Sequence, residues 1–459
     1  MVAEIRFRRE AAALALYGAA TTALLPLLYA KLAWRARHEP GYAEHLGQRA
    51  GRYRSAPSHG WLWVHAVSLG ETRAAALWVR RLQAERPDIP VLWTHGTATG
   101  RAEGQRWLRA QDAQVWLPWD SPAAVQRFLA HWRPRLGVLM ETEVWPMLVH
   151  GCRRRGVPLW LVNARLSERS AQRARRLRAL AEPAYAGLSG VLAQTEADAQ
   201  RLRALGAPVR GVTGNVKFDV PWQPPPWTAA RAWRVAWQDA TARPVLLLAS
   251  SRAGEEALWL AAWQRVRQQG DGGPVPLWLV VPRHPQRFDE VHALLSGAGL
   301  RVLRRSALPD WPQPPAWPPE ALQADVLLGD SLGEMPAYYA LADVALMGGS
   351  FAPLGGQNLI EAAACACPVV LGPHTFNFAQ AAEEALRLGA ARRARDLDEA
   401  LRLAQDWLSD PAARQRAQRA AQTLLQTHGG AADRTVQVLL AAWDEAGAVN
   451  AAPAGPRSA

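Results

Sequence analysis

Glu71 follows Gly70 at the start of an Ala/Leu/Trp-rich helical stretch. A carboxylate there either caps the helix, where the dipole favours negative charge, or serves as a general base that takes a proton from an attacking hydroxyl. The dipole holds such a carboxyl acidic, so the second role needs desolvation to raise its pKa again. Glu141 and Glu143 end an apolar run, Leu136 to Met140. In an extended chain they point to the same side and raise each other's pKa, an arrangement suited to chemistry at a strand end. Lys217, in TGNVKFD, pairs with Asp219 or holds a carboxylate or phosphate of a ligand. Arg283, in Pro282-Arg283-His284-Pro285 after the run Leu277 to Val281, suits an anionic leaving group.

A second group surrounds the stretch from Val344 to Pro373. Gly348-Gly349-Ser350 and Gly355-Gly356 let the backbone turn sharply, and Asn358 to Ala366 then starts a helix. The loop is a tight packing turn, or the helix start binds a phosphate through its free N–H groups and dipole. Glu361, one turn in, could accept hydrogen bonds from ribose hydroxyls. Gly329-Asp330 with Leu332-Gly333-Glu334 forms another loop at a strand end, and Gly372 to Phe378 (GPHTFNF) a rigid aromatic one. His-x-x-x-His and clustered-carboxylate metal patterns are absent from the sequence, so no metal is expected.

The elements that must position these residues alternate. Strands begin at Trp61, Val91, Leu136 and Leu159, each short and apolar, with helical stretches between them. Such a pattern builds a parallel sheet covered on both faces, with ligands beyond the carboxyl ends of the strands. The pattern restarts at Val245, and AVSLGETRAAALWVRRL and ASSRAGEEALWLAAWQRV run alike. The fold class is therefore α/β: two doubly wound Rossmann-like domains facing across a cleft that holds the ligand. Pro221 to Trp227 (PWQPPPW) reads as a stiff linker. The division is 1–36, 37–220, linker 221–227, 228–448 and a disordered tail from 449 to 459, with Pro309 to Pro319 as a surface loop.

Ala11 to Ala30 is uncharged, long enough to cross a bilayer and flanked by arginines. It reads as a retained anchor that spans the membrane or lies in its interface, with a buried core helix as the plain alternative. The chain of 459 residues carries 53 Lys+Arg against 40 Asp+Glu, which favours anionic partners such as nucleic acid, a membrane surface or a phosphorylated substrate. All but Lys31 and Lys217 of those basic residues are arginine, so Lys217 stands out, as do Asn163, Asn215, Asn358 and Asn377. Cys152, Cys365 and Cys367 form no disulfide framework and fit a reducing compartment. The run of arginines from Arg165 to Arg178 is a solvated face or a contact for anionic lipid.

VHAVSLGET (64–72), METEVWP (140–146), NARLSERS (163–170), TGNVKFD (213–219), VPRHPQRF (281–288), GDSLGE (329–334), the stretch 355–361 and GPHTFNF (372–378) occur in this order. Together they resemble the 3-deoxy-D-manno-oct-2-ulosonic acid (Kdo) transferases of lipid A synthesis, over roughly residues 10 to 430. The resemblance implies an inverting GT-B glycosyltransferase on the cytoplasmic side of a bacterial inner membrane. It implies CMP-Kdo as donor substrate with no further cofactor, and a tetraacylated phosphorylated lipid A precursor as acceptor. By position, Glu71 matches the family's base, and Glu141 and Lys217 match residues taken to stabilise the transition state. Pro282, Arg283, Leu332, Gly333, Glu334, Asn358, Leu359, Ile360 and Glu361 match its CMP-contacting segments. Residues 37–220 would then take the acceptor and 228–448 the donor. Gln357 stands where the family often has His, Ser251-Arg252 where it often has Thr-His, and the turn from His95 to Gly100 also departs.

Two other readings compete: another GT-B nucleotide-sugar transferase or epimerase, distinguished by a uridine donor, and a membrane-tethered basic nucleic-acid-binding protein. Dispersed arginines, the lack of a nucleic-acid motif and polar residues gathered at strand ends argue against the latter, so no nucleic acid is expected as a partner. The number of Kdo units added and the oligomeric state are not written in these motifs.

Overall fold

Runs such as LWVH, VLWTH and LGVLM are buried along their whole length, as strands in a sheet covered on both faces must be. The computed structural model describes residues 2–220, 225–269, 275–310 and 317–451. The described chain divides into two compact units, Met1–Asp219 with Gly429–Ala459, and Val220–His428.

In the first unit the strands are β1 (Leu62–His65), β2 (Val91–His95), β3 (Ala113–Trp116), β4 (Leu136–Met140), β5 (Leu159–Ala164), β6 (Gly190–Ala193) and β7 (Val209–Val212). They form one parallel sheet in the order β3-β2-β1-β4-β5-β6-β7. The chain winds outward from β1 to β3 and then returns to β4 beside β1. The carboxyl ends of β1 and β4 thus form the switch point, where the crossover helices diverge and leave a crevice. One face of the sheet packs Val64, Trp93 and Val138 against helix Leu69–Glu85, and the other packs Trp63, Leu139 and Leu161 against Phe128 and Leu148.

The second unit contains β8 (Val245–Ser251), β9 (Leu277–Pro282), β10 (Val302–Arg304), β11 (Val326–Leu328), β12 (Val344–Met347), β13 (Val369–Leu371) and β14 (Ala391–Arg393). Its sheet is also parallel, in the order β10-β11-β9-β8-β12-β13-β14. One strand, β11, is inserted between β9 and β10, so the two units are similar but not the same winding. The switch point falls between β8 and β12.

Two boundaries differ from the sequence division. The helix Ala431–Ala451 belongs to the first unit, not to a domain running to 448. Its Ala431, Val436, Leu439 and Trp443 lie in the first unit's core beside Val79 and Leu82. Asp219 accepts hydrogen bonds from the Gly430 and Ala432 N–H groups at the start of this helix, and Arg135 stacks on the Trp443 ring at 4.3 Å. Apolar periodicity near a chain end reads as a helix but carries no address. In the linker, 221–224 lie outside the described residues, and Pro225 to Trp227 form the first turn of helix Pro225–Ala240. Proline at the first helical positions loses only N–H groups that would have no helical partner. The tail from 452 to 459 and the part of the Pro/Trp loop from 311 to 316 also lie outside the described residues.

Among the described residues one helix, Arg8–Ala36, is long and apolar enough to cross a membrane, with mean hydropathy 1.7 and 6% of its apolar window buried. That exposure removes the reading as a buried core helix.

Candidate active site

Glu71 sits in the first turn of helix Leu69–Glu85, which Ser68 caps by accepting the Glu71 N–H. The Glu71 carboxylate reaches back and accepts the Val67 N–H at 2.9 Å and the Ser68 hydroxyl at 3.3 Å. This reciprocal arrangement resembles a capping box, so the capping reading is realised. It does not exclude the other. Burial raises the carboxyl from 4.5 to about 7, the charges of Glu141 and Glu143 push the same way, and the bonds from Val67 and Ser68 oppose them. Desolvation outweighs the helix start, and a carboxyl near neutrality can both give and take a proton.

Glu141 follows β4 at the switch point and is 4% exposed. Its φ of +55° is left-handed, a strained conformation for a side chain with a Cβ. The chain is therefore not extended there, and Glu141 and Glu143 do not form the side-by-side pair that strand alternation would give. Glu141 turns to Lys217, whose Nζ lies 2.7 Å away, and to Arg165 at 3.2 Å. Glu143 accepts from the Trp145 ring N–H at 2.9 Å and lies 4.0 Å from Nε2 of buried His65. Burial raises the Glu143 carboxyl and pushes the His65 imidazole down to about 3, so the ring stays neutral.

Lys217 lies in a 3-10 turn, Val216–Asp219. Asn163, left-handed at φ +50°, accepts the Val216 N–H at 3.1 Å, and Asn215 accepts the Lys217 N–H at 3.0 Å. Two of the rare asparagines thus hold the rare lysine in place. Asp219 is committed to the helix that starts at Ala431, so pairing with Lys217 is replaced by the pairing with Glu141. The structure brings Glu71, Glu141 and Lys217 to the carboxyl end of one sheet. Arg165 and His65 are further polar groups there; the pairing of Arg165 with Glu141 fits its place at the end of β5 rather than membership of a solvated or lipid-facing arginine run.

In the second unit, the loops after β8, β9, β11 and β12 converge. Arg283 follows Pro282 at the end of β9, and its N–H bonds to the Ser251 carbonyl at 2.9 Å. Ser250 is left-handed at φ +54°, at an irregularity in the β8–β9 register. Its hydroxyl meets the Met335 sulfur at 3.9 Å, next to Glu334. Gly333 is left-handed, Leu332 is 74% exposed and Glu334 pairs with Arg305 at 3.0 Å. Asn358 caps helix Leu359–Ala364, which is shorter than the expected 358–366. It accepts the Ile360 N–H at 3.2 Å and donates to Glu361 at 3.1 Å.

The glycine stretch divides by role. Buried Glu255 accepts the Gly349 N–H at 2.7 Å and the Phe351 N–H at 3.3 Å, and the Ala249 carbonyl accepts the Gly348 N–H at 2.8 Å, so these three donors are already engaged and this half of the stretch is a packing turn. A Cβ on Gly348 would lie 2.6 Å from the Ser250 carbonyl oxygen, and one on Gly372 would lie 2.4 Å from that of Ser350. Glu255 itself was visible only as an acidic helix start. The Gly349 backbone lies against Gln357 and Arg252, so two of the positions that depart from the family pattern are neighbours.

Two doubly wound parallel sheets, each with polar loops at the carboxyl ends of its strands, are the architecture of the GT-B fold. A glycosyltransferase from Rickettsia africae shares the fold with a TM-score of 0.54 at 10% identity, over 84% of this chain and 98% of that one. The sequence pattern described as "3-Deoxy-D-manno-octulosonic-acid transferase (kdotransferase)" matches residues 44–220. The 3-deoxy-D-manno-octulosonic acid transferase of Bordetella pertussis is 49% identical over 92% of this chain and 98% of its own length. That of Haemophilus influenzae is 32% identical over 90% and 95%. The chain belongs to the Kdo transferase family.

Proposed function

We propose that this Kdo transferase moves Kdo from CMP-Kdo to a tetraacylated, phosphorylated lipid A precursor with inversion, on the cytoplasmic face of the inner membrane. The observation that carries the reading is Glu71: a carboxyl raised to about 7 at the switch point of the first sheet. Glu71 takes the proton of an acceptor sugar hydroxyl, whose oxygen attacks the anomeric carbon of Kdo. The bond from that carbon to the CMP phosphate oxygen breaks, and CMP leaves with the electron pair. Lys217, with its ammonium on Glu141, offers remaining N–H donors to developing negative charge. Arg283 and the start of helix Leu359–Ala364 receive the CMP phosphate, and Glu361 the ribose. Pro282, Leu332, Gly333, Glu334, Asn358 and Ile360 shape that donor site. The exposed apolar helix Arg8–Ala36 supports attachment to a membrane.

The test is transfer from CMP-Kdo, generated in place, to the tetraacyl bisphosphorylated acceptor, read by mass spectrometry of the lipid. A mass increment of whole Kdo units is expected, and their number counts the additions. A folded protein that binds UDP-sugars rather than CMP would replace this reading with the other GT-B one.

A further inference from the structure

The N-terminal helix does not stand away from the first unit. Gly18 lies so close to the surface that a Cβ there would be 2.9 Å from Pro122. Tyr17 hydrogen-bonds the Asp120 carboxylate, which also accepts the Met147 and Leu148 N–H groups. Tyr29 meets Trp119 edge to face at 6.5 Å. At 1.5 Å per residue these contacts run along roughly 20 Å of the helix. A perpendicular, bilayer-spanning helix would carry Asp120 and the neighbouring His150 and Arg153 into hydrocarbon at high cost. A helix lying along the membrane surface avoids that cost.

Between this helix and the helices Pro146–Arg154 and Arg178–Ala186 runs a cavity of about 440 Å³. Leu14, Ala15, Met147 and Leu180 line it, with Glu10, His150 and Arg153 as its charged or titratable lining. Its volume is in the range that encloses a single small apolar ligand. The helix turns Leu16, Leu24 and Leu27 outward with 72%, 49% and 67% of their surfaces exposed, so the medium beside the cavity is lipid. Arg153 and Arg154 are exposed at the end of helix Pro146–Arg154, and Arg173, Arg175 and Arg176 on helix Glu168–Arg176, which packs against Arg178–Ala186; this charge complements a phosphorylated lipid headgroup.

We propose that this groove holds one acyl chain of the phosphorylated lipid acceptor, with the headgroup phosphate toward Arg153. The inference rests on the lipid acceptor of the reading above. It makes the N-terminal helix part of the acceptor site as well as an anchor. Chain insertion removes methylenes from the bilayer without exposing them to water, so the groove selects by fit and tethers the acceptor beside the first unit.

The full chain is placed in phosphatidylcholine nanodiscs with a tetraacyl bisphosphorylated disaccharide bearing a diazirine on one chain. Cross-links are mapped by mass spectrometry. Labelling is expected on the peptides holding Leu14 to Gly18 and Met147 to Arg153. Ala15→Trp, which fills the groove from an exposed position, should cut this labelling several-fold. It should also raise KM for the tetraacyl acceptor several-fold while leaving KM for an acyl-free acceptor disaccharide unchanged. Leu180→Gln, which removes apolar lining without adding bulk, should give the same split. Labelling confined to Leu16, Leu24 and Leu27, equal labelling of the groove by a diazirine phosphatidylglycerol, or equal effects of Ala15→Trp on both acceptors would each overturn the proposal. Groove labelling without Kdo transfer would overturn the transferase reading instead and leave a lipid-chain site.

Discussion

The Glu71 carboxyl near 7 makes a sharp prediction about pH. A base with the ordinary value of 4.5 is fully ionised above pH 6, and its rate is flat from there upward. With the pKa raised to about 7, the ionised fraction is about a tenth at pH 6 and about nine-tenths at pH 8. kcat/KM for Kdo transfer should therefore climb close to tenfold across that interval. Glu71→Gln keeps an oxygen for the Val67 N–H and removes the base; a loss of about 10²–10⁴ is expected, with CMP affinity unchanged within a few-fold. Glu143→Gln removes a charge that raises Glu71, so the rising limb should move to lower pH. Stability must follow the opposite sense. The folded carboxyl keeps its proton to higher pH than the unfolded one, so the folded state binds more protons between 4.5 and about 7. Stability then falls as pH rises through that window, and Glu71→Gln should abolish that part of the slope. The assays are initial rates with donor held constant and thermal unfolding from pH 5 to 8. A flat rate profile, or an unchanged limb in the residual activity of Glu71→Gln, would refute the assignment of the titrating group.

Three further outcomes test the architecture. Lys217→Met leaves the buried Glu141 with Arg165 alone and should cost about 1–3 kcal/mol; adding Arg165→Met should cost more than the sum, because the carboxylate is then buried without a cation. Strict additivity in denaturant unfolding would show that the two cations do not share Glu141. Deleting residues from 429 onward uncovers the surface that Val436, Leu439 and Trp443 bury. At about 1.5–3 kcal/mol for each large side chain, this is comparable with the whole stability of a domain, so the shortened protein should be insoluble or unfolded by circular dichroism. Gly372→Ala sets a Cβ 2.4 Å from the Ser350 carbonyl oxygen and should cost about 1–3 kcal/mol; a thermal shift with and without CMP should show lower stability and weaker binding together.

The alternation of apolar strands and helices was legible because buried parallel strands tolerate almost nothing but apolar residues, and β1, β4, β5, β8 and β9 all lie where that signal falls. Rarity also carried information: Lys217 and the asparagines that hold its turn resist the arginine-rich drift of the composition. Sequence reasoning failed where partners are distant in the chain or where the backbone leaves regular values. No spacing rule joins Lys217 to Glu141, 76 positions apart. Asp219, two residues from Lys217, caps a helix that begins more than 200 residues later. The left-handed turns at Glu141, Asn163 and Ser250 occur without glycine; asparagine is a residue type that favours this conformation, but nothing in the types of Glu141 and Ser250 announces theirs. Their location carries meaning of its own. Glu141 stands just past the end of β4, while Asn163 and Ser250 stand one residue before the ends of β5 and β8, at register shifts after which Ala164 and Ser251 still pair; at each place the left-handed residue redirects the next side chains. At Glu141 this separates two carboxylates that strand alternation would have aligned, leaving one to hold Lys217 and the other to face His65. The strain is thus part of how two glutamates of one short motif acquire different partners.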